Sequence, residues 1–139
     1  MPVPSLTVIA ALAALHDGAL YIDVRSSAEY AQGHPAGAIN VPLLDADEDT
    51  GQVLPNPDFV RVMKANFAPD ALLLIGCEAG SRSGRAAQIL EVFGFVSAAS
   101  VVGGYVGWRA AGHAVETSVP VGRTYADLLA RAEENVHET

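Results

Sequence analysis

Short apolar runs that alternate with helically spaced segments constrain this chain more than any other feature. Residues 20–24, 39–41, 72–75 and 99–102 have strand length and are rich in branched or small apolar side chains. Residues 8–15, 27–32, 58–67, 83–93, 105–111 and 125–135 instead space their apolar residues as helices do. Strands separated by helices pair in parallel, since a parallel neighbour needs a crossover long enough to hold one. The expectation is an α/β fold with a central, mostly parallel sheet flanked by helices on both faces. In such sheets, ligands bind beyond the C-terminal ends of the strands.

Cys77, the only cysteine, falls at one of those ends. It follows the apolar run and Gly76 and precedes the helical segment from Ser83, so it occupies a tight strand-to-helix loop. Amides of such a loop point inward, and the helix end adds partial positive charge. Both favour a thiolate, which is the nucleophilic form. A free cysteine elsewhere is usually a small buried hydrophobe. Here Gly80 lets the backbone turn inward, and Arg82 offers planar donors suited to an oxyanion. On these residues alone, a catalytic and a structural cysteine both remain open.

Cys77, Gly80, Arg82 and Ser83, in the order Cys-x-x-Gly-x-Arg-Ser, resemble the active-site loop of the rhodanese-like sulfurtransferases. Upstream, Tyr21-Ile22-Asp23-Val24-Arg25, Glu29-Tyr30 and the run from Gly33 to Pro42 resemble that family's first signature. Downstream, Gly94-Phe95, Val101-Val102-Gly103-Gly104, Trp108 and Gly112 are similar to its closing one. Pro55-Asn56-Pro57-Asp58-Phe59 is similar to small single-domain plant and bacterial members. Pro35-Ala36 stands where Ile-Pro is commoner, a departure at a turn and not in the chemistry. The resemblance implies a rhodanese-like domain over residues 20–115. Residues 1–19 would form an N-terminal helical segment of the same domain, and residues 116–139 a C-terminal helical extension.

The resemblance also implies the chemistry. Cys77 would take a sulfane sulfur from a small anionic donor such as thiosulfate and carry it as a persulfide, without a cofactor. A thiol, cyanide or an acceptor protein would then remove it. The loop Glu78, Ala79, Gly80, Ser81, Arg82 and Ser83 would bind the donor through its amides, with Arg82 orienting the donor's oxygens. Glu78 is expected to point outward. Asp23 and Arg25 would support the loop through ion pairing, with Glu29 in a capping arrangement. The rivals are a cysteine phosphatase or arsenate reductase, and a non-catalytic or weakly active sulfur-carrier or regulatory module. The phosphatase signature places five residues between cysteine and arginine; here four, Glu78 to Ser81, intervene. The presence of both Cys77 and Arg82 argues against a non-catalytic module.

At 139 residues the chain is expected to be one domain without internal repeats. A net charge of −8 argues against nucleic acid, which needs clustered Lys and Arg. One cysteine allows no internal disulfide, which points to a reducing cytoplasm and requires an external sulfur acceptor. Residues 8–15 are apolar, but no Lys or Arg precedes them and they are too short to span a bilayer. They are expected to form a packed helix capped by Ser5 or Thr7, and no membrane partner is expected. His34 lacks companion ligands for a metal and is expected at a hydrogen-bonded turn. The acidic segment 43–57 is expected to be a solvated loop, Trp108 to pack beneath the site, and helix 125–135 to pack on its own domain.

Overall fold

The computed structural model describes residues 4–138, with side chains as far as Glu134. Residues 1–3 of the N-terminal segment and Thr139 of the C-terminal extension lie outside the described residues. The chain opens with strand β1 (Ser5–Leu6) and helix α1 (Val8–His16), then β2 (Leu20–Asp23), α2 (Ser27–Gln32), β3 (His34–Pro35) and β4 (Ile39–Asn40). β5 (Leu44–Ala46) and β6 (Val53–Pro55) lead into α3 (Phe59–Asn66), and β7 (Leu73–Gly76) into α4 (Ser81–Val92). β8 (Ala98–Val101), α5 (Gly104–Ala110), β9 (Val115–Glu116) and α6 (Tyr125–Glu138) complete the order.

Five strands make one sheet in the order β1-β8-β7-β2-β4, and every neighbouring pair is parallel. Side-chain alternation divides the core in two. Ile22, Leu73 and Ile75 face Val62 and Met63 of α3, Ala86, Ala87 and Leu90 of α4, and Leu128 and Ala132 of α6. Tyr21 and Leu74 face the other way, toward Ala11 of α1, Tyr30 of α2 and Trp108 of α5. Strands buried on both faces read as continuous apolar runs, which is why they are legible from sequence. Thr7 caps α1, its hydroxyl accepting the Ala10 N–H at 3.1 Å.

The structure corrects the reading of segment 43–57. It is not an irregular loop but an antiparallel hairpin, with Leu44 opposite Pro55 and Ala46 opposite Val53. Asp47 closes its turn by accepting from the amides of Asp49 and Thr50 at 2.8 and 3.0 Å. The carboxylate that suggested solvated loop is a turn-forming residue. All three residues of β6 are exposed, so the strand leaves no alternating signal. Strands β1, β3 and β9 hold two residues each and were likewise not anticipated. Helix α4 begins at Ser81, two residues before the expected start, with Gly80 at φ +125° as its cap. Among the described residues no helix is long and apolar enough to cross a membrane, and no group of three or more His, Cys, Asp or Glu gathers for a metal.

Helix α6 packs on α3: Leu128 and Ala132 are fully buried, and Asn66 Nδ2 donates to the Leu128 carbonyl at 2.9 Å. Leu128→Ala is expected to cost about 2–5 kcal/mol, the usual loss for emptying such a site. Urea unfolding checks it, and a midpoint that does not move would show α6 to be dispensable for the core.

Candidate active site

The site forms where β7 runs out. Gly76 ends that strand beneath the Tyr21 ring, and any Cβ at Gly76 would collide with the Tyr21 hydroxyl. Cys77 follows with its residue only 1% exposed. Its Sγ accepts the Gly80 N–H at 3.0 Å and lies 3.5 Å from Ser83 Oγ. The Ser83 hydroxyl donates to the Gly80 carbonyl at 3.0 Å and sits 2.8 Å from the Ser100 hydroxyl. Among the described residues, Gly80 is the one loop amide within hydrogen-bond range of the sulfur. The physical reason is the early start of α4. Ser81, Arg82 and Ser83 already lie in its first turn, which leaves Glu78, Ala79 and Gly80 as the whole arc.

Helix α5 holds that arc from outside. The Tyr105 N–H donates to the Cys77 carbonyl at 2.8 Å, and the Val106 N–H to the Glu78 carbonyl at 3.1 Å. In a planar trans peptide the C=O and N–H point opposite ways. Pinning these two carbonyls toward α5 therefore turns the Glu78 and Ala79 amides away from it. Gly103 and Gly104, at φ +84° and +53°, bring the helix this close. A Cβ on Gly104 would collide with the carbonyl oxygens of both Cys77 and Glu78.

A charged frame surrounds the arc. Asp23 and Arg25 form a buried pair with an Nη2–Oδ2 distance of 2.7 Å, and the same nitrogen donates to the Gly33 carbonyl at 2.7 Å. Burial opposes the Arg25 charge, but the carboxylates of Asp23 and Glu78 outweigh it and raise its pKa above the usual guanidinium value. Arg82 does not present its fork to an open space: both terminal nitrogens bind Glu29, at 2.7 and 3.0 Å. This departs from the expectation that Arg82 orients a donor, because Glu29 from α2 already fills the planar fork. Led by these hydrogen bonds, and against a burial penalty, the Glu29 carboxyl falls from an ordinary 4.5 to about 2. Glu29 also completes a capping box with Ser26 at the start of α2.

Glu78 does not point free into solvent. Its carboxylate accepts from Arg25 at 3.2 Å and lies 3.6 Å from Arg109. Arg25, Glu29, Gly33, Glu78, Tyr105 and Arg109 line a cavity of about 320 Å³. Ala79 and Ser81 are exposed on the rim, and neither side chain reaches the sulfur. Sequence reasoning did not find Ser100, Tyr105 or Arg109. The four-residue spacing from Tyr105 to Arg109 places both on one face of α5, a signal that was available. His34 is fully buried, with Nδ1 2.9 Å from the Tyr30 carbonyl and Nε2 2.7 Å from that of Ser118. Trp108 packs edge-on against Tyr21 and donates Nε1–H to the Ala114 carbonyl at 2.8 Å.

The family description "Rhodanese-like domain" matches residues 7–111. The chain is 36% identical over 104 residues to thiosulfate sulfurtransferase 16, chloroplastic, of Arabidopsis thaliana, covering 75% of this chain and 85% of that protein. It is 40% identical over 91 residues to rhodanese-like domain-containing protein 15, chloroplastic, of the same plant, covering 66% of this chain but only 49% of that protein. In solved structures, it is similar to a rhodanese-like domain from Anabaena. That match has a TM-score of 0.68 at 20% identity, over 83% of this chain and 80% of that one.

Two predictions follow from the geometry. Gly104→Ala should displace the arc, and alkylation of Cys77 by iodoacetamide should change severalfold while the far-ultraviolet spectrum holds; an unaltered rate would show that α5 does not set the loop. Glu29→Gln keeps the capping box but removes the charge facing Arg82. A depressed carboxyl pKa stabilises fully above the unfolded value and is lost as pH falls through the folded one. The variant should therefore be less stable than the unaltered protein at pH 7. The gap should close as pH drops from about 4.5 toward 2, which denaturant titrations at several pH values would read.

Proposed function

Since this chain belongs to the rhodanese-like domain family, we propose that it is a sulfurtransferase that carries a sulfane sulfur as a persulfide on Cys77. The observation that carries the reading is the placement of a lone cysteine at a strand end, with a backbone N–H 3.0 Å from its sulfur. A relative that covers most of this chain is named a thiosulfate sulfurtransferase, which makes thiosulfate the donor of choice.

In the first half-reaction the Cys77 thiolate attacks the outer sulfur of thiosulfate. The new S–S bond forms as the old one breaks, and the bonding pair leaves on sulfite. The persulfide keeps one negative charge on its terminal sulfur. In the second, an acceptor nucleophile such as a thiolate or cyanide attacks that sulfur, and the pair returns to Cys77. No step needs a general base or a cofactor. Each step needs a donor fixed where charge collects, the role proposed for the Gly80 amide and the positive end of α4. Ser83 Oγ, linked to Ser100, has one proton that can turn from the Gly80 carbonyl to the sulfur when charge is there. The Arg82–Glu29 and Arg25–Asp23 pairs would keep the loop in place.

A phosphate ester would need a wider ring of donors than the three-residue arc supplies, so a phosphatase or arsenate reductase reading draws less support from this geometry. A lone thiol that must begin each cycle reduced suits a reducing compartment such as the cytoplasm; the two plant relatives are named for the chloroplast instead.

Intact-mass spectrometry after exposure to thiosulfate should show one added sulfur, absent in a folded Cys77→Ser variant and discharged by cyanide. Hydrolysis of an aryl phosphate with no sulfur uptake would overturn the assignment.

A further inference from the structure

Arg25 and Arg109 line the cavity beside the cysteine arc and Arg82 binds its lining residue Glu29, yet the three guanidinium groups are not equivalent. Arg25 is buried and held by Asp23, Glu78 and the Gly33 carbonyl. Arg82 closes both terminal nitrogens on Glu29. Arg109 differs. Its side chain is 53% exposed, and its nearest carboxylate, Glu78, lies 3.6 Å away, beyond good hydrogen-bond range. Its guanidinium lies 4.6 Å from the centroid of the Tyr105 ring, which also carries Arg25 at 4.3 Å.

Tyr105 and Glu78 tie this cation to the reacting end of the chain. The Tyr105 amide holds the carbonyl of Cys77 itself, and Glu78 is the next residue. Arg109 thus stands over the wall of the arc, oriented by an aromatic face and without a side-chain hydrogen bond to the described residues. An arriving oxyanion can take it without breaking a short ion pair, while Glu78 keeps its closer partner, Arg25. Displacing Arg25 or Arg82 would instead strand Asp23 or Glu29.

We infer that Arg109 is the donor-binding cation, recognising the sulfonate-type oxygens of a small anionic sulfur donor at the mouth of the site. This inference rests on the sulfurtransferase reading for the donor's identity, but not for the existence of an anion-guiding residue at Cys77.

The test uses the chain's single cysteine, since every thiol reagent has only one address. Iodoacetate and iodoacetamide share a leaving group and differ in charge. Arg109→Gln should lower the iodoacetate-to-iodoacetamide rate ratio several-fold, with the iodoacetamide rate unchanged. The same variant should raise KM for thiosulfate roughly tenfold with little change in kcat, the scale of one charge-assisted hydrogen bond. Arg109→Lys should recover part of each effect, since it restores charge but not the planar fork. A rate ratio that stays constant in Arg109→Gln overturns the inference. If the unaltered protein takes no sulfur from thiosulfate, the sulfurtransferase reading falls separately, and the alkylation ratio still decides the role of Arg109.

Discussion

Two hydrogen bonds from α5 to the carbonyls of Cys77 and Glu78 are the constraint on which the rest of the site depends. Without them the arc after β7 has no reason to turn its amides away from α5. The bonds require α5 to approach to within backbone contact, and Gly104, where a Cβ would meet both carbonyl oxygens, permits that approach. A glycine more than twenty residues downstream therefore sets the orientation of a loop it does not belong to. Side chains then refine what the backbone has placed: Ser83 bridges the arc to Ser100, and Gly80 ends it as the helix cap.

The charged frame is organised by depth. The Asp23–Arg25 pair is nearly free of solvent, and such pairs seldom add net stability over apolar packing. Removing either partner leaves an uncompensated buried charge, so the pair works as a fixed strut. It links the end of β2 to Gly33 and, through Glu78, to the arc. Arg82–Glu29 is shallower and joins the first turn of α4 to the first turn of α2. Charge compensation weakens outward and is loosest at Arg109.

What was legible in the sequence follows from the range of the interactions. Strands β2, β4, β7 and β8 were visible because burial on both faces leaves uninterrupted apolar runs, and the helices because their stripes repeat. The cysteine arc was visible because its residues are neighbours in the chain. The hairpin β5–β6 was hidden because β6 is exposed throughout and the short, half-buried β5 carries no alternation that burial selects. The partner of Arg82 was hidden because Glu29 is 53 positions away, and only the sheet order brings α2 beside α4. The same holds for Arg109 and Glu78. Local spacing announces which residues can react, whereas tertiary pairing decides which of the cations stay available.

The burial of Cys77 bears on time as well as on place. A cysteine residue only 1% exposed meets the outside as often as the short arc between β7 and α4 opens. Its reaction with any solute then depends on local breathing of the fold as well as on encounter in solution. Two copies of the chain also face a steric barrier to joining through their only thiol, since each sulfur would have to leave its own enclosure. The fold thereby separates the fate of the thiol from the concentration of the protein itself.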